Sequence, residues 1–413
     1  MKKNRLKSVA ITGIGIISCL GNNAESIVTA MKNGRSGIVY DEQRKNLGFK
    51  SPLTSKINGF APKDYGITKK ALRTMCEPAL FSFAAAKDAV ADSGLPQDLI
   101  QSDRCGIIFG NDSTIKASVE SIDIARKYKE THYIGSSYVF RAMNSTVTMN
   151  LAAHFKTRGA NWTISAACAS GAHVIGQALM LIRSGYQDII IAGGAQETNW
   201  MSMASFDSLN AFSSRIDEPE KASRPFDKER NGLVPGGGAA SIVIEDLDHA
   251  VSRGANIYCI VDGYGFSSGV GKNLSEPNAK GSGKAMENAL KDAGIAPEKI
   301  DYISAHATST LTGDLAEAIA INKLFGPTTP VSSTKSMTGH ECWMSGTSEV
   351  IYTILMAKNG FIAPNINFSS LSDDCPQINV INSARQAQIG FAISNSFGFG
   401  GTNAAVVLNF NNT

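Results

Sequence analysis

The sequence lacks the features that mark several large protein classes. No C-x-x-C pair occurs: the seven cysteines, Cys19, Cys76, Cys105, Cys168, Cys259, Cys342 and Cys375, are odd in number and widely scattered. Neither a disulfide framework nor a structural zinc site is supported. No apolar run reaches the roughly 18 residues a membrane-spanning helix needs. The basic start Met1-Lys2-Lys3-Asn4-Arg5 leads into the glycine-broken Val9-Ala10-Ile11-Thr12-Gly13-Ile14-Gly15-Ile16-Ile17 without a small-residue cleavage site. A reduced, cytoplasmic protein without membrane insertion is the expectation. Charge of one sign is missing too, since 39 basic residues against 36 acidic ones leave a net +3. That balance supplies no global field for nucleic acid. Low-complexity tracts and flexible linkers are also missing.

What is present is a 413-residue chain, 43% apolar and punctuated by 39 glycines, long enough to bury a large core. Its second part echoes its first. Ile260-Val261-Asp262-Gly263-Tyr264-Gly265-Phe266 matches Ile11-Thr12-Gly13-Ile14-Gly15-Ile16, and the glycine-led strand at 400–408 matches the one at 237–244. The order of elements predicts two pseudo-equivalent α/β halves, 1–255 and 256–413, packed through their helices as an α/β/α/β/α body. Buried strands are expected at 9–17, 104–110, 161–165, 187–193 and 239–245, with a helix at 24–33. Residues 40–65 read as irregular, 112–145 as polar and mobile with several helical turns, and 224–232 as an ordered surface loop. A long helix is expected from Thr68 through Ser93, carrying Lys69, Lys70 and Arg73 in its first turns. Gly13-x-Gly15 alone is a weak nucleotide signal.

Chemistry concentrates around Ala166-Ala167-Cys168-Ala169-Ser170-Gly171-Ala172-His173. An apolar strand runs into tiny residues and then into an apolar-periodic helix, so Cys168 falls where a helix begins. Free N–H groups and the helix dipole there favour a thiolate. Taken alone, such a cysteine is more often a buried structural residue. Two further strand ends change the balance. Strand 301–305 ends in His306-Ala307-Thr308-Ser309-Thr310, and 330–333 leads to Thr334-Lys335-Ser336-Met337-Thr338-Gly339-His340. Polar clusters just outside strand C-termini are the usual ligand places in α/β sheets. The loop Asn395-Ser396-Phe397-Gly398-Phe399-Gly400-Gly401-Thr402-Asn403 adds backbone N–H groups able to approach an oxyanion.

With these motifs, the chain resembles the elongating type I/II β-ketoacyl-acyl-carrier-protein synthases of the thiolase-like superfamily, nearer to the bacterial type I enzymes at Phe206-Asp207-Ser208-Leu209 and Gly360-Phe361-Ile362-Ala363-Pro364. The resemblance implies a thiolase-like fold and a decarboxylative Claisen condensation, with Cys168 as acylated nucleophile and His306 and His340 as donors to the malonyl thioester. It implies Lys335 and Glu349 as a buried pair ordering the histidines, and Cys168, Phe399 and Gly400 at the oxyanion hole and gate. Thr308 and Thr310 correspond to the pantetheine-binding threonines; Phe206, Phe399 and Trp343 are acyl-pocket candidates. Lys69, Lys70 and Arg73 correspond to the patch that meets an acidic acyl carrier protein. No metal or other cofactor is implied. The family forms homodimers or pairs with a related subunit.

The chain departs from the family pattern in two places. Ala307 replaces a glycine, and after His340 the family's small residues, roughly Ser-Leu-Gly-Ala-Ala-Gly, give way to Glu341-Cys342-Trp343-Met344-Ser345-Gly346. This second change motivates a specialised pathway, such as a polyene or other secondary lipid, in place of housekeeping fatty-acid elongation. The rival from another class is a non-catalytic chain-length-factor-like subunit; retention of Cys168, His306 and His340 argues against it. A thiolase, or a coenzyme-A-using synthase, fits two histidines less well.

Overall fold

A computed structural model describes residues 7–411. The strands of its large sheet are β1 (Val9–Ile17), β2 (Cys105–Gly110), β3 (Asn161–Ile164), β4 (Ile189–Gln196), β5 (Gly238–Asp246), β6 (Cys259–Ser268), β7 (Tyr302–Ser304), β8 (Pro330–Ser332), β9 (Asn379–Val380), β10 (Phe391–Phe397) and β11 (Thr402–Asn409). The helices that position the site are α1 (Glu77–Ser93), α2 (Ser170–Arg183), α3 (Ala279–Ala293), α4 (Leu311–Phe325) and α5 (Ser345–Lys358). Among the described residues no helix is long and apolar enough to cross a membrane.

The strand order is β9-β8-β7-β10-β11-β6-β1-β5-β4-β2-β3. From the centre outward both halves follow one rule. β1 pairs antiparallel with β5 and β5 with β4, then β4, β2 and β3 run parallel. Likewise β6 pairs antiparallel with β11 and β11 with β10, then β10, β7 and β8 run parallel. Within the sheet the halves pair at Ala10↔Ile260 and Ile11↔Cys259. Helices α2 and α5 touch each other and strands of both halves, whereas α1 covers β1 and β5, and α3 covers β6 and β11. The layers are therefore those expected. In α5 every residue from 345 to 356 is buried, as a helix packed against both halves of the sheet must be.

The sequence echo has a steric cause. A Cβ on Gly13 or Gly15 would lie 2.2 or 2.1 Å from a carbonyl oxygen of α1, and on Gly263 or Gly265 2.2 or 2.1 Å from one of α3. These glycines let a helix lie directly on a strand; the Gly13-x-Gly15 motif serves packing.

Three sequence expectations need correction. The helix expected from Thr68 begins only at Glu77, after a short 3₁₀ turn at Ala71–Arg73. Pro78 stands in the first turn of α1, where its missing N–H is harmless; a helix from Thr68 would place it in the interior, where it breaks the ladder. Residues 40–65 contain a helix, Glu42–Asn46, and a short strand, Leu53–Ser55, which pairs with Ile38–Tyr40. The helical turns expected within 112–145 are present, by contrast, the longest being the fourteen-residue helix Ile115–Tyr128. Finally, 224–232 is ordered but not a surface loop. Phe226 and Asp227 are fully buried; Arg224 pairs with Asp227 at 2.9 Å and Arg230 donates to Leu311 O at 2.7 Å. Buried charges persist when paired in this way.

Candidate active site

The turn between β3 and α2 is held by side-chain hydrogen bonds. Ala167 has φ +46°, a left-handed conformation that costs a non-glycine residue on the order of 1 kcal/mol. The Ser170 hydroxyl accepts from Ala166 N at 2.8 Å and donates to Ala167 O at 2.7 Å. Cys168 lies in the one-turn 3₁₀ segment Ala167–Ala169 that leads into α2. Close approach of α2 and α5 then brings the second half in: a Cβ on Gly346 would lie 2.2 Å from Ala172 N.

His340 is clamped by its backbone, donating to Val234 O at 2.7 Å and accepting from Gly236 N at 2.8 Å. Its Nε2 lies 3.0 Å from Cys168 Sγ, and its Nδ1 3.3 Å from Ser345 Oγ. His306 follows β7. Its N–H and that of Ala307 donate to the two Glu317 carboxylate oxygens at 2.9 and 2.6 Å. The imidazoles of His306 and His340 meet edge-on with centroids 5.3 Å apart. One sulfur or nitrogen atom from each of Cys168, His306 and His340 lies within 4.8 Å of the other two. Lys335 and Glu349 form a buried ion pair close by.

Burial pushes the Cys168 thiol up to about 12, opposed by the Lys335 charge and by the backbone N–H groups of Cys168 and Phe399. The resting group is thus a thiol, contrary to the thiolate expected from the helix start alone; loss of solvation outweighs the dipole. Burial, with Lys335 adding to it, holds both imidazoles well below their ordinary range, so both are neutral.

A cavity of about 380 Å³ opens on this group. Cys168, both histidines, Thr308, Thr310 and Phe399 line it. The two threonine hydroxyls lie 3.2 Å apart. Phe206 also lines the cavity, but Trp343 does not; it is buried against Phe206 at 6.3 Å between centroids. Gly400 is corrected as well: its N–H donates to Leu274 O at 2.8 Å and so is spent. Lys69, Lys70 and Arg73 are exposed and lie outside any α-helix.

The β-ketoacyl synthase N-terminal domain profile matches residues 6–250, and the C-terminal domain profile residues 258–369. The chain belongs to the β-ketoacyl synthase family. It is 39% identical over 408 residues to 3-oxoacyl-[acyl-carrier-protein] synthase 1 of Haemophilus influenzae, covering 97% of this chain and 98% of that one. Among solved structures it is similar to a β-ketoacyl synthase from Burkholderia phymatum, with TM-score 0.93 and 33% identity over 98% of this chain and 100% of that one. The ishigamide ketosynthase/chain length factor matches with TM-score 0.91 and 30% identity over 98% of this chain and 99% of that one.

Within this β-ketoacyl synthase site, sequence reasoning missed three contributors. Glu317 orients the His306 loop; its signal was the Asp314/Glu317 pair near the start of α4, three residues apart on one face. Residues 274–278 line the cavity, foreshadowed only by a Gly- and Pro-punctuated stretch. Ser345 touches the His340 ring, and nothing local announces that contact. The unusual Glu341 is buried, its carboxylate accepting from Ser348 Oγ at 2.6 Å and from Tyr352 OH at 3.0 Å.

Proposed function

We propose that the protein is an elongating β-ketoacyl-acyl-carrier-protein synthase, the first half, 1–255, supplying the nucleophile and the second, 256–413, its partners. The single observation that carries this is the meeting of Cys168 with His340 and His306 at the floor of a cavity. In the first half-reaction Cys168 attacks the thioester of an acyl carrier protein. A carbon–sulfur bond forms to Cys168, the bond to pantetheine breaks, and the thiol proton passes to the departing thiolate. Lys335 and the N–H groups of Cys168 and Phe399 offset the cost of the transient negative sulfur.

In the second half-reaction malonyl carrier protein occupies the same cavity, its pantetheine amides held by Thr308 and Thr310. Loss of carbon dioxide leaves an electron pair that spreads onto the thioester oxygen as an enolate, which N–H donors of His306 and His340 stabilise. The enolate carbon attacks acyl-Cys168; a carbon–carbon bond forms, the thioester to Cys168 breaks, and a proton from the medium restores the thiol. Electrons come from the malonyl carboxylate, so this scheme calls on no metal or other cofactor. The carrier is the acidic partner for Lys69, Lys70 and Arg73, in the cytoplasm. The enzyme acts as a homodimer or with a related ketosynthase or chain-length-factor subunit.

The Glu341-Cys342-Trp343-Met344-Ser345 replacement supports a second, narrower reading, elongation of a specialised acyl chain such as a polyene. Mass spectrometry of the intact protein after incubation with saturated, unsaturated and aryl acyl carriers tests both. Acylation confined to Cys168, lost in Cys168→Ala and discharged by malonyl carrier protein, is expected. Loading that survives Cys168→Ala refutes the mechanism, and elongation of ordinary saturated chains only refutes the specialised reading.

A further inference from the structure

Beyond Cys168, the His340 ring has a hydrogen-bond partner on the segment that follows it, 341–352. His340 Nδ1 is 3.3 Å from Ser345 Oγ, and this is the only hydrogen bond of that hydroxyl among the described residues. Both residues are buried, at 4% and 1% exposure. A buried hydroxyl has one proton to place, and leaving it unpaired costs about 1–3 kcal/mol. With an imidazole nitrogen as its partner, the hydroxyl donates and Nδ1 accepts. A neutral ring accepting at Nδ1 carries its proton on Nε2, which faces Cys168 Sγ at 3.0 Å.

The serine is itself braced. Ser348 Oγ lies 3.1 Å from Ser345 O and 2.6 Å from Glu341 Oε2, while Tyr352 OH donates to Glu341 Oε1 at 3.0 Å. Ser348 and Tyr352 share one face of α5, four residues apart. Glu341 directly follows His340, so its carboxylate ties the histidine-bearing loop to the first two turns of that helix. Both Glu341 and Ser345 fall in the stretch where the chain departs from the small residues of its family pattern.

We propose that Ser345 and Glu341 are positioning residues for His340, holding its imidazole as the Nε2–H tautomer aimed at Cys168. His340 is thereby a hydrogen-bond donor at the sulfur and at the thioester oxygen, never the proton acceptor. The consequence for rate rests on the condensing reading of the site; the tautomer does not.

Nitrogen-15 NMR of the full-length protein labelled on histidine reads the tautomer directly, with the His340 signals identified by their loss in His340→Asn. The wild type is expected to show protonated Nε2 and unprotonated Nδ1. Ser345→Ala is expected to populate the other tautomer and to slow malonyl carrier decarboxylation about tenfold or more, as a misdirected catalytic imidazole does. Glu341→Gln, which keeps a carbonyl acceptor, is expected to retain more activity than Glu341→Ala, and this pair carries the test if Ser345→Ala does not fold. A wild-type Nδ1–H tautomer overturns the proposal, as does an unchanged tautomer and unchanged decarboxylation in Ser345→Ala. Absence of decarboxylation in the wild type would refute the condensing reading, with the tautomer still deciding the positioning role.

Discussion

Phe399 lies nearly parallel to Phe206, with ring centroids 6.2 Å apart and planes meeting at 18°. Both line the cavity above Cys168, and Phe399 stays 37% exposed. Its ring and its backbone have separable tasks, because the N–H acts on the sulfur whatever the side chain. Phe399→Ala is therefore expected to leave Cys168 acylable but to admit water, since an open site loses its protection against hydrolysis. Acyl-Cys168 decay without malonyl carrier, followed by mass, should quicken severalfold; decay at the wild-type rate would remove the gating role.

The two histidines predict a split between half-reactions. Their neutral rings suit them to donate hydrogen bonds to an enolate, and loss of one such donor costs on the order of 10²–10³ in rate. His306→Ala and His340→Ala should lower carbon dioxide release from malonyl carrier by that factor while Cys168 still becomes acylated. Equal losses in loading and decarboxylation would count against this division of labour.

Carrier docking has its own signature. Lys69, Lys70 and Arg73 are exposed, and single rim charges contribute about 0.2–1 kcal/mol each. Reversing all three should raise KM for carrier-borne substrate about tenfold at low salt, less at high salt. Turnover of the same acyl group on free pantetheine should not change. A matching loss with the pantetheine substrate would place the defect in the fold instead.

Glu341 makes stability depend on pH. Burial pushes its carboxyl from 4.5 up to about 7, against the opposing pull of Ser348, Tyr352 and Lys335. It also faces Cys19, Cys342 and Glu349, whose groups its charge raises further. Between those two values the folded protein holds a proton that the unfolded chain has released, so stability falls as pH rises through this window and levels off above it. The full difference is on the order of 3 kcal/mol. Glu341→Gln removes it. The melting temperature of the variant should gain on the wild type by a few degrees from pH 5 to pH 8, and a difference constant with pH would show that Glu341 does not titrate there.

Much of the fold was legible because its elements are locally coded. The glycine pairs of β1 and β6 repeat because each half lays a helix on a strand, so the internal duplication appears in the sequence itself. Pro78 shows where such reading slips: apolar periodicity continues across 68–93, and one missing N–H decides where the helix can start. Arg230 misleads in the opposite sense, since a charged loop reads as surface until the carbonyls of Thr310 and Leu311, some 80 residues along the chain, are in place to take its guanidinium.

The sequence by itself determined which groups can do chemistry here: a cysteine ahead of a helix, two histidines beyond strand ends, and a glycine loop with backbone donors. These signals are short-range, set by turn geometry and residue size. Only the tertiary structure decided which of those groups meet and which are already engaged. It brings Cys168 to His340 across 172 residues, gives the Gly400 N–H to Leu274 instead of the cavity, seats Trp343 behind Phe206, and places Ser345 on the His340 ring. A donor's availability and a thiol's proton depend on everything packed around them, and that packing is a property of the folded chain.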